Sequence, residues 1–578
     1  MDFLISLFAS RPRTAEYAGI VALSFLGAGL ATMSFEPFGW APLAWLAPVP
    51  ICWLARRHRD STTKLVLAGL LSSFFLSVLS FPWLVGTIQR YAETEFASAL
   101  LVFLATAPFL QLKYTGFIVF FGWSERWRDL RVPTWLRCAT IATLADLFTP
   151  SLFFWRWGDL FVHDRLILQL AELGGAGLLT FVQFAFAGVL LGFVRAHREA
   201  RSDRPSPVVQ ISLQLAWIPL LYATAFGLDR LTASELKNTP TVLVAILQPA
   251  APLERPLRDE QAEEQIDEIV YRVLPALARK LRTTTKVDLI VLGESAIPYY
   301  SSDDSPIHER HGLYHSGMRA LLTELAQGFR ASVFASEVAL RYGRTPHDGE
   351  TRVEPLNAAV LLDPEGARRG LYVKNDLLPF GEYVPGEQLV RRLGLHDFLP
   401  AALRESRFYP GGRAILIPYS FKKSGAPRKY FAPGICFEIL NNGLIREQFQ
   451  GEMPIDFLVN LTNEGWFDSE LEARQHLSLS RVRTVEFRRS LVRATNGGLS
   501  ALFDPRAQSI GFSPGQRPAF GSPAIVRGAI PVLERTTLYA NLGVAWLWLP
   551  IAGCLLYAVA AWLTRRHHSQ LRRKGLVP

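Results

Sequence analysis

The chain has 578 residues, 49% of them hydrophobic, and a formal net charge of +10. That length leaves room for several domains. A basic balance of this size draws a protein to nucleic acid or to a membrane surface. No nucleic-acid module is recognisable and many Lys and Arg residues flank apolar stretches, so nucleic acid is set aside and the membrane kept.

In chain order, the first 230 positions hold seven apolar stretches, at roughly 15–34, 40–55, 65–87, 95–123, 134–153, 168–194 and 211–230, and an eighth runs about 540–563. Most come near the ~20 apolar residues that cross a bilayer. The first is not a signal peptide, because no small-residue cleavage site follows it and further spans come directly after. The expected membrane part is an α-helical bundle of eight spans. Its loops alternate in charge. Arg11 and Arg13 precede span one. Arg56, Arg57, Arg59 and Lys64 follow span two. Arg126, Arg128 and Arg131 follow span four, and Arg195, Arg198, Arg201 and Arg204 follow span six. The tail carries Arg565, Arg566, Arg572, Arg573 and Lys574, while the intervening loops hold only Arg90, or Arg156 with Arg165. Both termini are therefore expected in the cytoplasm and residues 231–535 on the far side, the periplasm of a Gram-negative cell.

The expected domains are 1–230, seven membrane helices; 231–535, an extracytoplasmic α/β domain; and 536–578, a closing helix with a basic tail. The middle domain alternates strand and helix patterns. Strands are predicted at Thr241–Leu247, Val287–Leu292, Val333–Ser336, Ala358–Leu362, Tyr430–Ile435, Phe457–Val459 and Leu499–Phe503. Helices are predicted at Glu260–Thr283, Ser316–Arg330 and Leu471–Arg489. Asp363-Pro-Glu-Gly366 reads as a hairpin turn and Asp504-Pro505 as another.

Three stretches set an acid, base or nucleophile just past a strand, where loops expose side chains. Gly293-Glu-Ser-Ala-Ile-Pro298 offers Glu294. Tyr372-Val-Lys-Asn-Asp-Leu-Leu-Pro-Phe-Gly-Glu-Tyr-Val-Pro385 offers Lys374 and Glu382. Ala432-Pro-Gly-Ile-Cys-Phe-Glu-Ile439 offers Cys436, with Glu438 two residues on. Cys436 is the one cysteine of the polar half, so it has no partner there for a disulfide and suits a nucleophile; a buried, inert thiol is the other reading. A carboxylate in a desolvated pocket can take the thiol proton, and Lys374 can hold an oxyanion.

These stretches resemble the Glu-Lys-Cys triad of the carbon–nitrogen hydrolase (nitrilase) superfamily. The whole chain resembles its membrane-bound branch, the bacterial apolipoprotein N-acyltransferases. Further similar segments fall in family order: Phe35-Glu-Pro-Phe-Gly-Trp40, Gln169-Leu-Ala-Glu-Leu-Gly-Gly175, Gln248, Asn357, Asn460-Leu-Thr-Asn-Glu-Gly-Trp-Phe467, Gln475-His476 and Val492-Arg-Ala-Thr-Asn496. The resemblance implies a four-layer αββα sandwich and an acyltransferase of the bacterial inner membrane, working as a monomer without cofactor or metal. Cys436 would take an acyl chain from a phospholipid as a thioester, and the α-amino group of an S-diacylglyceryl cysteine on a lipoprotein would receive it. Glu294 would be the general base and Lys374 the stabiliser of the tetrahedral intermediate. Glu382, Phe437 and Glu438 would support the site, and Gln248, Asn357 and Trp466 would meet substrate. The chain departs from the family pattern at Gly293, where proline is usual, at Pro249-Ala250, where Gly-Asn is common, and at Leu257, where tryptophan is often found.

Two rival readings stand beside this one. A membrane-tethered amidase would use the same triad with water as acceptor. A transporter or receptor would line a path with charged or broken helices, and the spans offer Lys113 and Asp146, which are unpaired in sequence. Other features read as structural. His476 lacks companions at metal-ligand spacing. Arg481, Arg483, Arg488 and Arg489 read as a packed or solvated helix face, with Arg493 tied into the core. Trp155 and Trp157 suit an interfacial belt.

Overall fold

The computed structural model describes residues 13–126, 132–151, 155–198, 216–251, 259–282, 286–344, 351–394, 408–420, 429–511 and 520–573. Leu257, Arg11, Arg128, Arg131, Arg201, Arg204, Lys574 and the start of the stretch 211–230 lie outside them. Two compact units emerge. One holds Met1–Pro82, Leu101–Asp229 and Leu542–Pro578; the other holds Trp83–Leu100 and Arg230–Asn541.

The first unit is helical. Among the described residues of the whole chain, five helices are long and apolar enough to cross a membrane: Thr14–Ser34, Thr62–Ser80, Phe96–Ser124, Ile167–Val194 and Ala545–His567. The other three expected stretches are helical without reaching that standard. Residues 40–55 form the short helices Pro42–Leu46 and Pro48–Arg57, Thr134–Phe148 has 15 residues, and Trp217–Glu235 carries Asp229, Arg230 and Glu235. The stretch expected to run to 87 stops at Ser80, because Pro82 disfavours helical backbone at Phe81. Trp83–Tyr91 is a separate helix and belongs to the second unit.

Two expectations for the first unit are corrected. Lys113 and Asp146 are paired, Nζ to Oδ1 at 2.9 Å, and both are buried. Trp155 and Trp157 are buried rather than interfacial, with Nζ of Lys113 4.4 and 5.0 Å from their ring centroids. Thr180 Oγ1 and the Trp157 backbone N–H donate to the Asp146 carboxylate at 2.6 and 3.2 Å, and the Trp155 carbonyl accepts from Lys113. A charge pair inside an apolar bundle persists only when its remaining donors and acceptors are met in this way.

The second unit is built on two six-stranded sheets. The strands are β1 Thr241–Gln248, β2 Leu289–Leu292, β3 Ser332–Arg344, β4 Thr351–Leu362, β5 Arg368–Val373, β6 Ile417–Ser420, β7 Lys429–Ile435, β8 Ile455–Thr462, β9 Ser490–Thr495, β10 Ala501–Phe503, β11 Ser509–Ile510 and β12 Ala524–Pro531. One sheet runs β12-β1-β2-β3-β4-β5, the other β11-β10-β9-β8-β7-β6. In each, three neighbours pair in parallel, β1-β2-β3 and β7-β8-β9. The central strands are buried on both faces and so read as unbroken apolar runs. Val244, Ile246 and Val291 of one sheet share a core with Phe431, Phe457 and Val459 of the other, so the sheets pack face to face.

Helices cover the outer faces. The segment Asp259–Arg282 and the helix Ser316–Phe329 pack Ile266, Leu274, Met318 and Leu322 onto β1 to β4. The helix Glu470–Phe487 lies over β8 and β9, where Ser480 accepts from Arg493 at 3.1 Å. The arginines at the end of this helix are packed rather than solvated. Arg488 donates to Pro505 O at 2.9 Å, and Arg489 gathers the carbonyls of Ile455 and Arg535 at 2.5 and 2.8 Å. Arg493 is wholly buried against Asn460 and Glu464.

β1 leaves its sheet through Ala250, whose φ is +55°. Its N–H donates to Asn496 O at 3.1 Å, and the Asn496 side chain bonds both backbone groups of Ala251. A residue with a Cβ is strained there, so Ala250→Gly should raise stability by about 0.5–1 kcal/mol, net of glycine's extra freedom when unfolded. Thermal unfolding in detergent reads the change.

Candidate active site

The carboxyl ends of β2, β7 and β8 and the loop after β5 bring the candidate residues together, at the strand ends where α/β sheets bind ligands. Glu294 follows β2 by two residues. Gly293, between them, passes close to the end of β9. A Cβ on it would stand 2.5 Å from the Thr495 carbonyl carbon and 2.6 Å from Asn496 N. Glycine is thus required at this position. Gly293→Ala is expected to cost about 1–3 kcal/mol by overpacking and to slow turnover ~10-fold or more by shifting Glu294. Thermal unfolding and turnover, measured together, check both.

Glu294 is 3% exposed. Its Oε1 accepts from Asn357 Nδ2 at 2.7 Å and lies 3.6 Å from Lys374 Nζ. The other hydrogen of the same amide goes to Glu382 Oε1 at 2.8 Å, so Asn357 bridges two carboxylates. Lys374 is equally buried and sits 2.8 Å from Glu382 Oε2. Glu382 also accepts from Leu378 N at 2.8 Å, closing the proline-framed loop on itself. Burial raises the Glu294 pKa, and Glu382 adds to this against the pull of Lys374. For Lys374, burial pulls downward, but Glu382 and Glu294 outweigh it and hold the amine charged.

Cys436 ends β7 at a sharp turn, with φ +56° in a buried position. Non-glycine residues avoid this region, and those held there cluster at functional sites. The turn is held from several sides. Asn460 Nδ2 donates to Cys436 O at 3.0 Å, and Glu438 accepts from Ile435 N at 2.7 Å. Burial raises the thiol pKa well above normal and Glu294 adds to it, with Lys374 opposing. The resting sulfur is therefore protonated and would need a base to act as a nucleophile.

Glu438 links this turn to the Lys374 loop. Besides Ile435 N, it accepts from Asn375 N and Asp376 N at 2.6 and 3.0 Å and bonds Tyr372 Oη at 2.9 Å. Burial pushes its pKa up to about 7 against the pull of those N–H donors. A carboxyl raised on folding stabilises most below its unfolded value, and that contribution is lost as pH rises through about 7. Wild type should lose roughly 2–3 kcal/mol between pH 5 and 8 from this group. Glu438→Gln should abolish that slope while lowering stability overall, as thermal unfolding across the range will test.

Glu294, Lys374, Asn357, Glu382 and Cys436 line one pocket together with Ile297, Val338, Leu378, Phe408 and Phe467. Trp466 lines it as well, stacked on Tyr91 at 6.1 Å. Tyr91 comes from the helix Trp83–Tyr91, which is fixed to the second unit by Trp83 Nε1 to Gln475 Oε1 at 3.1 Å and Arg90 to Asp468 at 3.2 Å. Reading 65–87 as one apolar span concealed this wall. The Pro82 break was the available signal.

Gln248 does not line the pocket. Its carboxamide accepts from Thr495 and Ser500 at 3.0 and 2.7 Å and donates to Ser522 O at 2.9 Å. Phe437 turns its ring away to stack on His476. Among the described residues no cluster of His, Cys, Asp and Glu is arranged to hold a metal ion.

Comparison with known proteins adds two matches in order along the chain. Residues 27–189 match the apolipoprotein N-acyltransferase N-terminal domain, and residues 243–519 match the carbon-nitrogen hydrolase family. Over its length the chain is similar to apolipoprotein N-acyltransferase 2 of Leptospira interrogans, 27% identical with 90% of this chain and 92% of the relative covered. The apolipoprotein N-acyltransferase of Geobacter metallireducens is 27% identical, covering 95% and 96%, and that of Vibrio cholerae is 24% identical, covering 98% and 100%.

Proposed function

We propose that this chain, a member of the apolipoprotein N-acyltransferase family, moves an acyl chain from a phospholipid to the α-amino group of a lipoprotein's S-diacylglyceryl cysteine. Cys436 is the nucleophile. As its sulfur attacks the sn-1 ester carbonyl, Glu294 takes the thiol proton. The oxyanion forms beside the Lys374 ammonium and the backbone at Phe437. The ester C–O bond then breaks, Glu294 returns the proton to the departing lysophospholipid oxygen, and the acyl chain remains as a thioester. In the second half the lipoprotein amine attacks that thioester, Glu294 accepts the amine proton, the C–S bond breaks, and Glu294 passes the proton to the Cys436 sulfur.

The other residues support this sequence. Glu382 and Asn357 hold Lys374 and Glu294 in register, and Glu438 ties the nucleophile turn to the Lys374 loop. Trp466 and Tyr91 offer an apolar wall to the acyl chain. The membrane part completes eight spans, with residues 1–230 supplying seven and 536–578 the last. Both termini face the cytoplasm and residues 231–535 the periplasm, in keeping with the loop charges. The enzyme acts as a monomer at the inner membrane.

The observation that carries the mechanism is the meeting of Glu294, Lys374 and Cys436 in one pocket with apolar and aromatic walls. The test uses the purified enzyme in phosphatidylethanolamine vesicles with a synthetic S-diacylglyceryl cysteine peptide. Transfer predicts a peptide heavier by one acyl chain on its amine. Release of free fatty acid with the peptide unchanged would favour the water-using amidase instead.

A further inference from the structure

We propose that His476 is a positioning residue that acts as a flat, uncharged ring: by stacking on Phe437 it fixes the turn that carries Cys436, and it moves no proton. The proposal rests on the reading of Cys436 as the nucleophile. Thiol enzymes commonly activate their cysteine with a histidine, so a buried histidine beside a cysteine turn invites that assignment. The geometry points elsewhere.

His476 is 2% exposed, on the helix Glu470–Phe487. Its ring lies 4.4 Å from that of Phe437 with an interplanar angle of 4°, face to face. Phe437 meets Phe467 edge-on from another side, at 5.6 Å and 88°. The residue next to the nucleophile is thus clamped between two rings, and Phe467 itself lines the pocket. Stacked aromatic pairs contribute stabilisation beyond their buried area. Here that contribution falls on a strained turn at φ +56°.

The groups facing the imidazole keep it neutral. Nδ1 stands 3.8 Å from Glu464 Oε1 and 3.7 Å from Glu472 Oε1, beyond hydrogen-bond reach. Glu464 is committed to Arg493 and to Leu499 N. Burial raises Glu472 well above normal, with Glu464 adding to it. Burial likewise carries His476 far below the usual histidine range, helped by the charges of Arg493 and Lys374 and only partly opposed by the Cys436 backbone. A ring so held is a poor proton acceptor and a good flat surface.

The test compares His476→Phe, His476→Gln and His476→Ala with wild type in phospholipid vesicles, following acyl-enzyme formation by mass. His476→Phe should keep kcat within about threefold, with an unchanged pH profile, because it keeps the flat face. His476→Gln, which keeps polarity and lacks the ring, and His476→Ala should each lose about tenfold or more in kcat with KM within about twofold. A second readout needs no phospholipid: the rate at which iodoacetamide alkylates Cys436, read on its peptide. It should match wild type in His476→Phe and differ about fivefold or more in His476→Gln. If wild type forms no acyl adduct, the Cys436 mechanism fails, and the alkylation rates still decide whether His476 sets the turn. An inactive His476→Phe, a pH profile displaced in that variant, or a fully active His476→Gln would each overturn the proposal.

Discussion

Glu294→Gln is expected to slow acyl-enzyme formation by about 10²–10⁴-fold, the range for loss of a positioned general base. The substitution is nearly isosteric, and its carbonyl oxygen can still accept from Asn357, which donates to Glu294 at 2.7 Å. The fold should therefore survive, with thermal unfolding close to wild type. A second measurement separates loss of the base from damage to the nucleophile. The Glu294 charge helps hold the Cys436 thiol above its ordinary range, after the larger effect of burial. Removing that charge lowers the thiol pKa, so alkylation of Cys436 by iodoacetamide should be no slower in the variant. Slow acylation with undiminished alkylation identifies Glu294 as the base. Slow alkylation as well would mean that the turn itself had been disturbed.

Lys374→Met should act on both stability and chemistry. The ammonium stands 2.8 Å from Glu382 and 3.6 Å from Glu294, all three nearly enclosed. Removing it strands two carboxylates, and loss of one partner from a buried pair costs about 3–5 kcal/mol. Loss of the oxyanion's charge partner costs a further ~10²–10³ in rate. Protonating one of the stranded carboxylates removes the uncompensated charge, so the lost stability should partly return as pH falls. The double variant Lys374→Met with Glu382→Gln should also regain stability, because it removes one stranded charge, and it should remain inactive. Thermal unfolding and acylation, measured on both proteins, test the two effects separately. Recovered activity in the double variant would show that Lys374 serves only to neutralise Glu382.

Much of the second unit was legible because its signals are local. Thr241–Leu247, Tyr430–Ile435 and the hairpin turn at Asp363 lie where unbroken apolar runs and turn chemistry put them. The three site stretches were visible for the same reason, since each sits just past such a run. What the sequence concealed depends on contacts between distant residues. The pairing of Lys113 with Asp146 spans 33 positions and encloses two tryptophans that resemble interface anchors when read alone. The arginines Arg483, Arg488 and Arg489 read equally as a packed or a solvated face, and only the fold shows them packed, against Glu486 and carbonyls from several elements. Asn357 was read as meeting substrate, and its place between Glu294 and Glu382 emerges only when β4 and two loops converge. Strands β9 and β12 escaped notice because Arg493 and Arg527 interrupt their apolar patterns.

The central claim is that Cys436 carries the acyl chain. Intact-protein mass spectrometry after incubation with phosphatidylethanolamine alone, on wild type and Cys436→Ala side by side, tests it most directly. The account predicts a gain of one acyl chain on wild type, removed by hydroxylamine, and no gain on the variant. An equal gain on both proteins would contradict it, as would N-acylation of an acceptor peptide by Cys436→Ala.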